Sequence, residues 1–329
     1  VNIGTLSNTV RLTSHKNSYF CAMHLSIVIP IYNEEANISA LYERLSGVAK
    51  SINPAYELLF VNDGSKDASI LLIKQLAMQD SHIRYLDLSR NFGHQIAVSA
   101  GLDRCVGEYI AIIDADLQDP PELITDMYKK MQEGYEVVYA KRRSREGETF
   151  LKKFTARQFY RMLASITSVE IPVDTGDFRL MSHKIVEVLR QMPEQHKFLR
   201  GQISWVGFNQ TYVEYDRSER NAGETGYTYK KMIRFALDGI TSFSRFPLKV
   251  ATISGFVVSG FSFLMIIYAL YSKFFLKDTI QGWTSLMLAI TFIGGIQLIS
   301  LGIMGEYIGR LSDNVRKRPL YIIKDSNIE

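Results

Sequence analysis

Asp114 and Asp116 put two carboxylates two residues apart, directly after the apolar run Tyr109 to Ile113, and Gln118 follows two residues later. On an extended segment that spacing turns all three side chains toward one side. Hard oxygen donors of this kind suit Mg2+ or Mn2+, ions that usually join one or two protein carboxylates to substrate phosphates. Held there, such an ion neutralises charge growing on a departing diphosphate. An isolated Asp-x-Asp is common by chance. This one ends a run too apolar to carry charge without a ligand, and Pro120-Pro121 then starts a helix cleanly.

The elements that must position these residues alternate along the chain. Apolar, strand-like runs cover Leu25 to Ile31, Leu58 to Val61, Ile83 to Leu88, Tyr109 to Ile113 and Val137 to Tyr139, with helical stretches near 35 to 51, 67 to 80, 94 to 105 and 121 to 132. That alternation predicts an α/β fold, a mostly parallel sheet with crossover helices. The first four runs end in Tyr32-Asn33-Glu34, Asn62-Asp63-Gly64-Ser65, Ser89-Arg90-Asn91 and Asp114-Ala115-Asp116. Ligands of open α/β sheets bind outside the carboxyl ends of the strands, so the four clusters should converge. Turn chemistry explains any one of them alone. No GxGxxG or GxxxxGK[ST] follows a strand, which disfavours dinucleotide dehydrogenases and P-loop enzymes. His94, lacking a His-x-x-x-His partner, is expected to cap or pack.

Beyond Pro247 the composition changes. No residue is charged from Val250 to Ser272 or from Thr279 to Gly305, and each stretch exceeds the roughly 20 apolar residues that cross a bilayer core. The short connector Lys273 to Asp278 makes them a hairpin with both flanks on one side. Lys230, Lys231, Arg234, Arg245 and Lys249 before it, and Arg310, Arg316, Lys317 and Arg318 after it, put those flanks in the cytoplasm. Residues 230–246 read as an amphipathic helix lying in the interface, and 149–166 as either a second such stretch or a core helix. The expected order is a disordered leader (1–23), a catalytic domain (24–229), the interface helix (230–246), a transmembrane hairpin (247–305) and a cytoplasmic tail (306–329).

A net charge of +4 without a basic, aromatic-interleaved stripe argues against nucleic acid. Two cysteines, Cys21 and Cys105, form neither a disulfide framework nor a zinc site, and a reducing setting fits.

With these residues in hand, the chain resembles the family-two, A-fold glycosyltransferases, in particular the dolichol-phosphate mannose synthase and bactoprenol glucosyltransferase group. The resemblance runs from about Leu25 to Asn314. It is carried by Ile29-Pro30-Ile31-Tyr32-Asn33-Glu34-Glu35, Val61-Asn62-Asp63-Gly64-Ser65, Asn91-Phe92-Gly93-His94, Asp114-Ala115-Asp116-Leu117-Gln118-Asp119-Pro120, Asp174-Thr175-Gly176-Asp177-Phe178-Arg179-Leu180 and Phe198-Leu199-Arg200-Gly201. It implies a Rossmann-like A-type domain in which Pro30, Tyr32, Glu34 and Asp63 hold the nucleoside, and Asp114, Ala115 and Asp116 meet the diphosphate. Asp114, Asp116 and Gln118 would be the metal side, with Mg2+ or Mn2+ as cofactor. Arg142, Arg200 and residues near Arg220 to Tyr227 would close over the phosphates. Asp177 matches the family's acceptor-side carboxylate and, with Asp116, is the expected catalytic residue. The chain departs from the family pattern at Gly223-Glu224-Thr225, where Gly226 stands in place of the usual Lys or Arg.

The implied reaction is inverting transfer of a hexose from a nucleotide sugar to a polyprenyl phosphate at the cytoplasmic membrane face. UDP-glucose is the first expectation and GDP-mannose the second, with a homo-oligomer possible. A processive polysaccharide synthase would need more spans and a Gln-x-x-Arg-Trp, of which Gln202-Ile203-Ser204-Trp205 is only a partial echo. A lipid flippase would need a larger bundle. A catalytically silent nucleotide-sugar scaffold would not need Asp114, Asp116 and Asp177 intact.

Overall fold

The computed structural model describes residues 23–143, 175–216, 246–271 and 282–328. The expectations for the leader up to residue 22, for 149–166, for the basic loop near Arg220 to Tyr227, for the interface helix up to residue 245 and for the connector lie outside these residues.

The described strands form one mixed, mostly parallel sheet. They are β1 (Leu25–Ile31), β2 (Tyr56–Asn62), β3 (Ile83–Leu88), β4 (Tyr109–Ile112), β5 (Val137–Arg142), β6 (Thr175–Ser182), β7 (Gln210–Tyr215) and β8 (Ile323–Ser326), in the order β7-β5-β6-β4-β1-β2-β3-β8. The neighbours β4, β1, β2 and β3 are all parallel, while β6 and β8 run antiparallel to the strands beside them. Helices α1 (Ile38–Ile52), α2 (Ser69–Gln79), α3 (His94–Arg104) and α4 (Leu123–Gln132) follow the first four strands in turn. Two more, α5 (His183–Arg190) and α6 (Leu199–Trp205), connect β6 to β7.

Because successive side chains of a strand point to opposite faces, β1 feeds two cores. Leu25, Ile27, Ile29 and Ile31 join the core that includes residues of α1 and α4, and Val28 joins the one that includes residues of α3, α5 and α6. Both faces of the central strands are therefore covered, which is why they read as continuous apolar runs rather than alternating ones.

Pro30 sits inside β1 without breaking the ladder. Parallel strands send alternate residues to alternate neighbours, and Val28 O accepts from Ile113 N on the β4 side while Ile31 O accepts from Asp63 N on the β2 side. The missing N–H of Pro30 thus faces β4, whose pairing with β1 has already ended at Val28 and Ile112. The pairing ends at the place where the strand order reverses, which is where open α/β sheets form their ligand crevice.

Two long helices follow, α7 (Phe246–Tyr271) and α8 (Trp283–Arg316), packed against each other. Each contains a segment long and apolar enough to cross a bilayer, Phe246–Met265 and Phe292–Arg316, and neither segment is buried in the protein. Phe256 and Leu298 are 76% and 72% exposed, which a core helix of a soluble protein would not tolerate.

The segment expected as a cytoplasmic tail, 306–329, carries regular structure over its described residues. Helix α8 continues to Arg316, and β8 then adds to the edge of the catalytic sheet, pairing with β3. Lys74 Nζ lies 2.5 Å from Asp325 Oδ2, Tyr321 donates to Asp103, and Ile323 and Ile328 pack on the core. The short sequence Ile323-Lys324-Asp325-Ser326 is polar because it is an edge strand with a solvent-facing side.

Candidate active site

The loops after β1 and β2 are zipped together. Asn33 N donates to Ser65 Oγ and Lys66 N to Asn33 Oδ1; Glu34 N donates to Ser69 Oγ; Glu35 N donates to Asp67 and Ala68 N to Glu35. Asn33 takes a left-handed conformation, φ 55°, which asparagine tolerates better than most residues. Glu34 also accepts from Asn37 Nδ2 at 2.7 Å. Tyr32 stands 45% exposed on this pad, while Pro30 is buried within its strand.

Asp63 does structural work in the same place. Its two carboxylate oxygens accept the backbone N–H groups of Phe92 and Gly93 at 2.7 and 2.9 Å, tying the loop after β3 to the loop after β2. Burial pushes its pKa up against the pull of those two N–H groups. Gly64 beside it has φ +66°, and a Cβ there would stand 2.5 Å from the Arg90 carbonyl carbon, so only glycine fits.

The acidic segment after β4 is a turn, not the extended stretch that its spacing suggests. Asp116 Oδ1 accepts the Gln118 N–H at 3.1 Å, and Leu117 adopts φ 57°. A left-handed leucine costs roughly 1–2 kcal/mol, a strain that tends to collect at functional sites. The turn replaces side-by-side alternation with a tight corner: Asp116 and Ala115 are buried, Gln118 is half-buried, and Asp114 stands at the rim of the crevice.

Asp114 begins a row of alternating charges. His94 Nε2 lies 3.6 Å from Asp114 Oδ1 and 3.1 Å from Asp177 Oδ2, and Arg200 Nε donates to Asp177 Oδ1 at 2.8 Å. Gln95 Nε2 adds a contact to Asp177 Oδ2 at 3.3 Å. Burial alone would push the His94 pKa down, but the carboxylates of Asp114 and Asp177 outweigh it and hold it near 9. His94 is therefore a cation at neutral pH, not the capping or packing residue that its position at the start of α3 implied.

Burial likewise favours a neutral Asp177, yet Arg200 and His94 hold its carboxyl well below the usual range. Asp114 moves the other way, to about 6, because burial and the Asp177, Asp119 and Asp116 charges outweigh His94.

Arg142 and Arg200, both expected over the phosphates, have protein partners here. Arg200 pairs with Asp177, as above. Arg142 Nε donates to the Tyr215 hydroxyl at 3.3 Å and its Nη2 lies 4.0 Å from Asp119 Oδ1, while Tyr215 itself donates to Asp119. Gly176 leaves room for this group, since a Cβ there would meet Arg142 Nη2 at 3.2 Å. Tyr215, Asp119 and Gln95 thus join the site without having been singled out by sequence. Asp119 lies within the acidic segment after β4, whereas Tyr215 and Gln95 carry no signal that spacing could reveal.

The donor set fits a hard divalent cation. Asp114 Oδ1 is buried with no hydrogen-bond partner among the described residues, and Asp116 is the neighbouring carboxylate. Among the described residues no group of three or more His, Cys, Asp or Glu side chains gathers as ligands. A protein contribution of two carboxylates, completed by substrate oxygens, matches how Mg2+ and its relatives are commonly held.

Comparisons with known proteins identify the family. Residues 26–190 match the model of the family described as Glycosyl transferase family 2. An uncharacterized glycosyltransferase, YkcC of Bacillus subtilis, is 53% identical, the match covering 92% of this chain and 93% of that one. A prophage bactoprenol glucosyl transferase homolog of Escherichia coli is 42% identical over 92% of this chain and 99% of its own. The bactoprenol glucosyl transferase of Shigella phage SfII is 42% identical over 93% and 99%. On residues 26–190 and on relatives matched over almost their whole length, this chain belongs to glycosyl transferase family 2.

Proposed function

We propose that the chain transfers one glucose from UDP-glucose to a polyprenyl phosphate at the cytoplasmic membrane face, with inversion at the anomeric carbon. The observation that carries this reading is the charge row Asp114–His94–Asp177–Arg200 at the β1/β4 crevice, in a chain that also presents two exposed, bilayer-length helices. The relatives named as bactoprenol glucosyl transferases supply the choice of sugar and lipid.

In this reading the zipped pad of Tyr32, Glu34 and Asp63 receives the nucleoside. Asp114 and Asp116 would hold Mg2+ or Mn2+, which when bound supplies positive charge for the departing diphosphate. Gln118 stands beside them in the turn. Arg142, held by Tyr215 and Asp119, is placed to meet phosphate when those partners release it.

The acceptor needs little help to become a nucleophile. A phosphate monoester has a second pKa near 6 and is largely dianionic at neutral pH. Asp177, ionised and engaged by Arg200 and His94, is a poor proton acceptor. Its task is to hold those two cations where an incoming phosphate can meet them. In-line attack then follows from orientation, which is worth about 7–11 kcal/mol when well set.

The test is to incubate the purified chain with labelled UDP-glucose, GDP-mannose and other nucleotide sugars, a polyprenyl phosphate and Mg2+ or Mn2+. One-sugar lipid product from UDP-glucose is expected. Product from GDP-mannose alone reassigns the donor, and no product with any donor rejects the reading in favour of a silent nucleotide-sugar scaffold.

A further inference from the structure

We propose that Arg179 is a positioning residue for the transfer: its guanidinium, folded back along its own strand, fixes the Gly176–Asp177 backbone and so aims the Asp177 carboxylate at Arg200 and His94. The inference rests on the transferase reading above.

The β5–β6 ladder slips just where Asp177 sits. Tyr139 pairs with Arg179, but Lys141 pairs with Thr175, so Ala140 alone stands opposite Gly176, Asp177 and Phe178. On the other side of β6 the pairing with β4 has already ended, at Ile112 and Arg179. Gly176 to Phe178 therefore lie outside the paired register on both sides. Bulges of this kind re-aim side chains next to active sites, and their backbone groups still need partners.

Arg179 supplies them. Its Nε donates to the Asp177 carbonyl at 3.1 Å and its Nη2 to the Gly176 carbonyl at 2.9 Å, while Nη2 also lies 3.6 Å from Asp177 Oδ1. One planar group spans two successive carbonyls and faces the carboxylate between them, a geometry that suits the rigid fork of arginine and not the single nitrogen of lysine.

The side chain is 1% exposed and lies 5.3 Å from the Tyr139 ring centroid. Its Nη1 has no hydrogen-bond partner among the described residues. A buried cation with an unmatched N–H is a costly way to fill space, and apolar residues of similar volume commonly do so without loss of stability. What an apolar residue cannot supply is the grip on residues 176 and 177. Sequence offers only the i, i+2 spacing of Asp177 and Arg179; the slip and the backward fold are visible in three dimensions alone.

The test compares Arg179→Met, which keeps the volume, and Arg179→Lys, which keeps the charge, each alone and combined with Asp177→Asn. Melting temperature, UDP-glucose affinity by calorimetry and turnover with polyprenyl phosphate are measured. We expect folded variants with donor affinity within about twofold of the original and turnover about 100-fold lower, the scale of a 1 Å misplacement. Adding Asp177→Asn should then cost nothing more, because Arg179 acts through Asp177.

A folded variant with unchanged turnover overturns the inference, as does a double variant whose loss is the product of the two single losses. If Arg179→Met does not fold, Arg179→Lys decides; if neither folds, the side chain is a structural part of the strand and the positioning role is rejected. An original chain that makes no lipid-linked sugar rejects the reading of function, and this inference with it. An active chain beside equally active Arg179 variants rejects this inference alone.

Discussion

On the β1–β2 side of the crevice polar groups are matched to one another, whereas on the β4–β6 side they are matched to charges that a substrate can replace. The first side has Asn33, Glu34 and Glu35 hydrogen-bonded to the facing loop and Asp63 held by two backbone N–H groups. The second has a left-handed Leu117, a buried Asp114 oxygen with no hydrogen bond among the described residues, and carboxylates balanced by His94 and Arg200. A pre-built pad suits a rigid nucleoside. Stored charge suits a diphosphate and a phosphate, whose arrival changes the local charge.

Four changes would break or sharpen that contrast. Asp114→Asn strikes the charged side and should lower turnover by about 100- to 1000-fold, the usual scale for losing one preorganised electrostatic contact. Calorimetry should also show that Mn2+ no longer tightens UDP binding; tightening that survives would place the cation elsewhere.

Gly64→Ala strikes the pad. With φ +66° and a backbone carbon at 2.5 Å from the new Cβ, it should cost about 2 kcal/mol or more in urea unfolding and weaken donor binding. Unchanged stability would mean that the loop after β3 moves aside freely.

Deleting residues 320–329 removes β8 and leaves the β3 edge open, with loss of the Lys74–Asp325 and Tyr321–Asp103 contacts. The melting temperature should fall by about 5 °C, equivalent to about 2 kcal/mol in a domain of this size. A fall of under a degree would make the strand incidental.

The smallest effect concerns His94, whose pKa is raised from 6.5 to about 9 in the folded chain. A raised base contributes stability that is fully present below its unfolded value and is lost as pH rises through the folded one. The stability gap between the original chain and His94→Gln should therefore be widest below about pH 6.5 and close as pH rises through about 9. With 42% of its side-chain surface exposed, solvent screens the pair and the gap will be small. A gap that widens toward alkaline pH would contradict the assignment of His94 as a cation.

How much of this was legible follows from where the charges lie. The run Leu25 to Ile31 coincides with β1 because a strand buried on both faces is almost wholly apolar, and Ile83 to Leu88 coincides with β3 because Ile83, Leu86 and Leu88 mark it despite Arg84 and Asp87. β6 escaped the same reading because Asp177 and Arg179 interrupt it, although all of its residues but Ser182 are buried. β8 escaped because an edge strand has no apolar run to show.

The acidic segment was found by its composition but its shape was misjudged. Alternation assumes extended backbone, and the hydrogen bond from Gln118 N to Asp116 bends it. Asp177 and Arg200 were named from family resemblance, while the bond between them came only from the fold. His94 was undervalued because a lone histidine carries no spacing signal; its role comes from two carboxylates, 20 and 83 positions further along the chain.

The most direct test of a site divided between a matched pad and a charged acceptor side is a paired measurement on Asp177→Asn. UDP-glucose affinity by calorimetry and turnover to lipid-linked glucose are read from the same preparation. The account predicts affinity within about twofold of the original and turnover about 100-fold or more lower, the scale of losing one preorganised electrostatic contact. Affinity and turnover falling together, or turnover left unchanged, would contradict it.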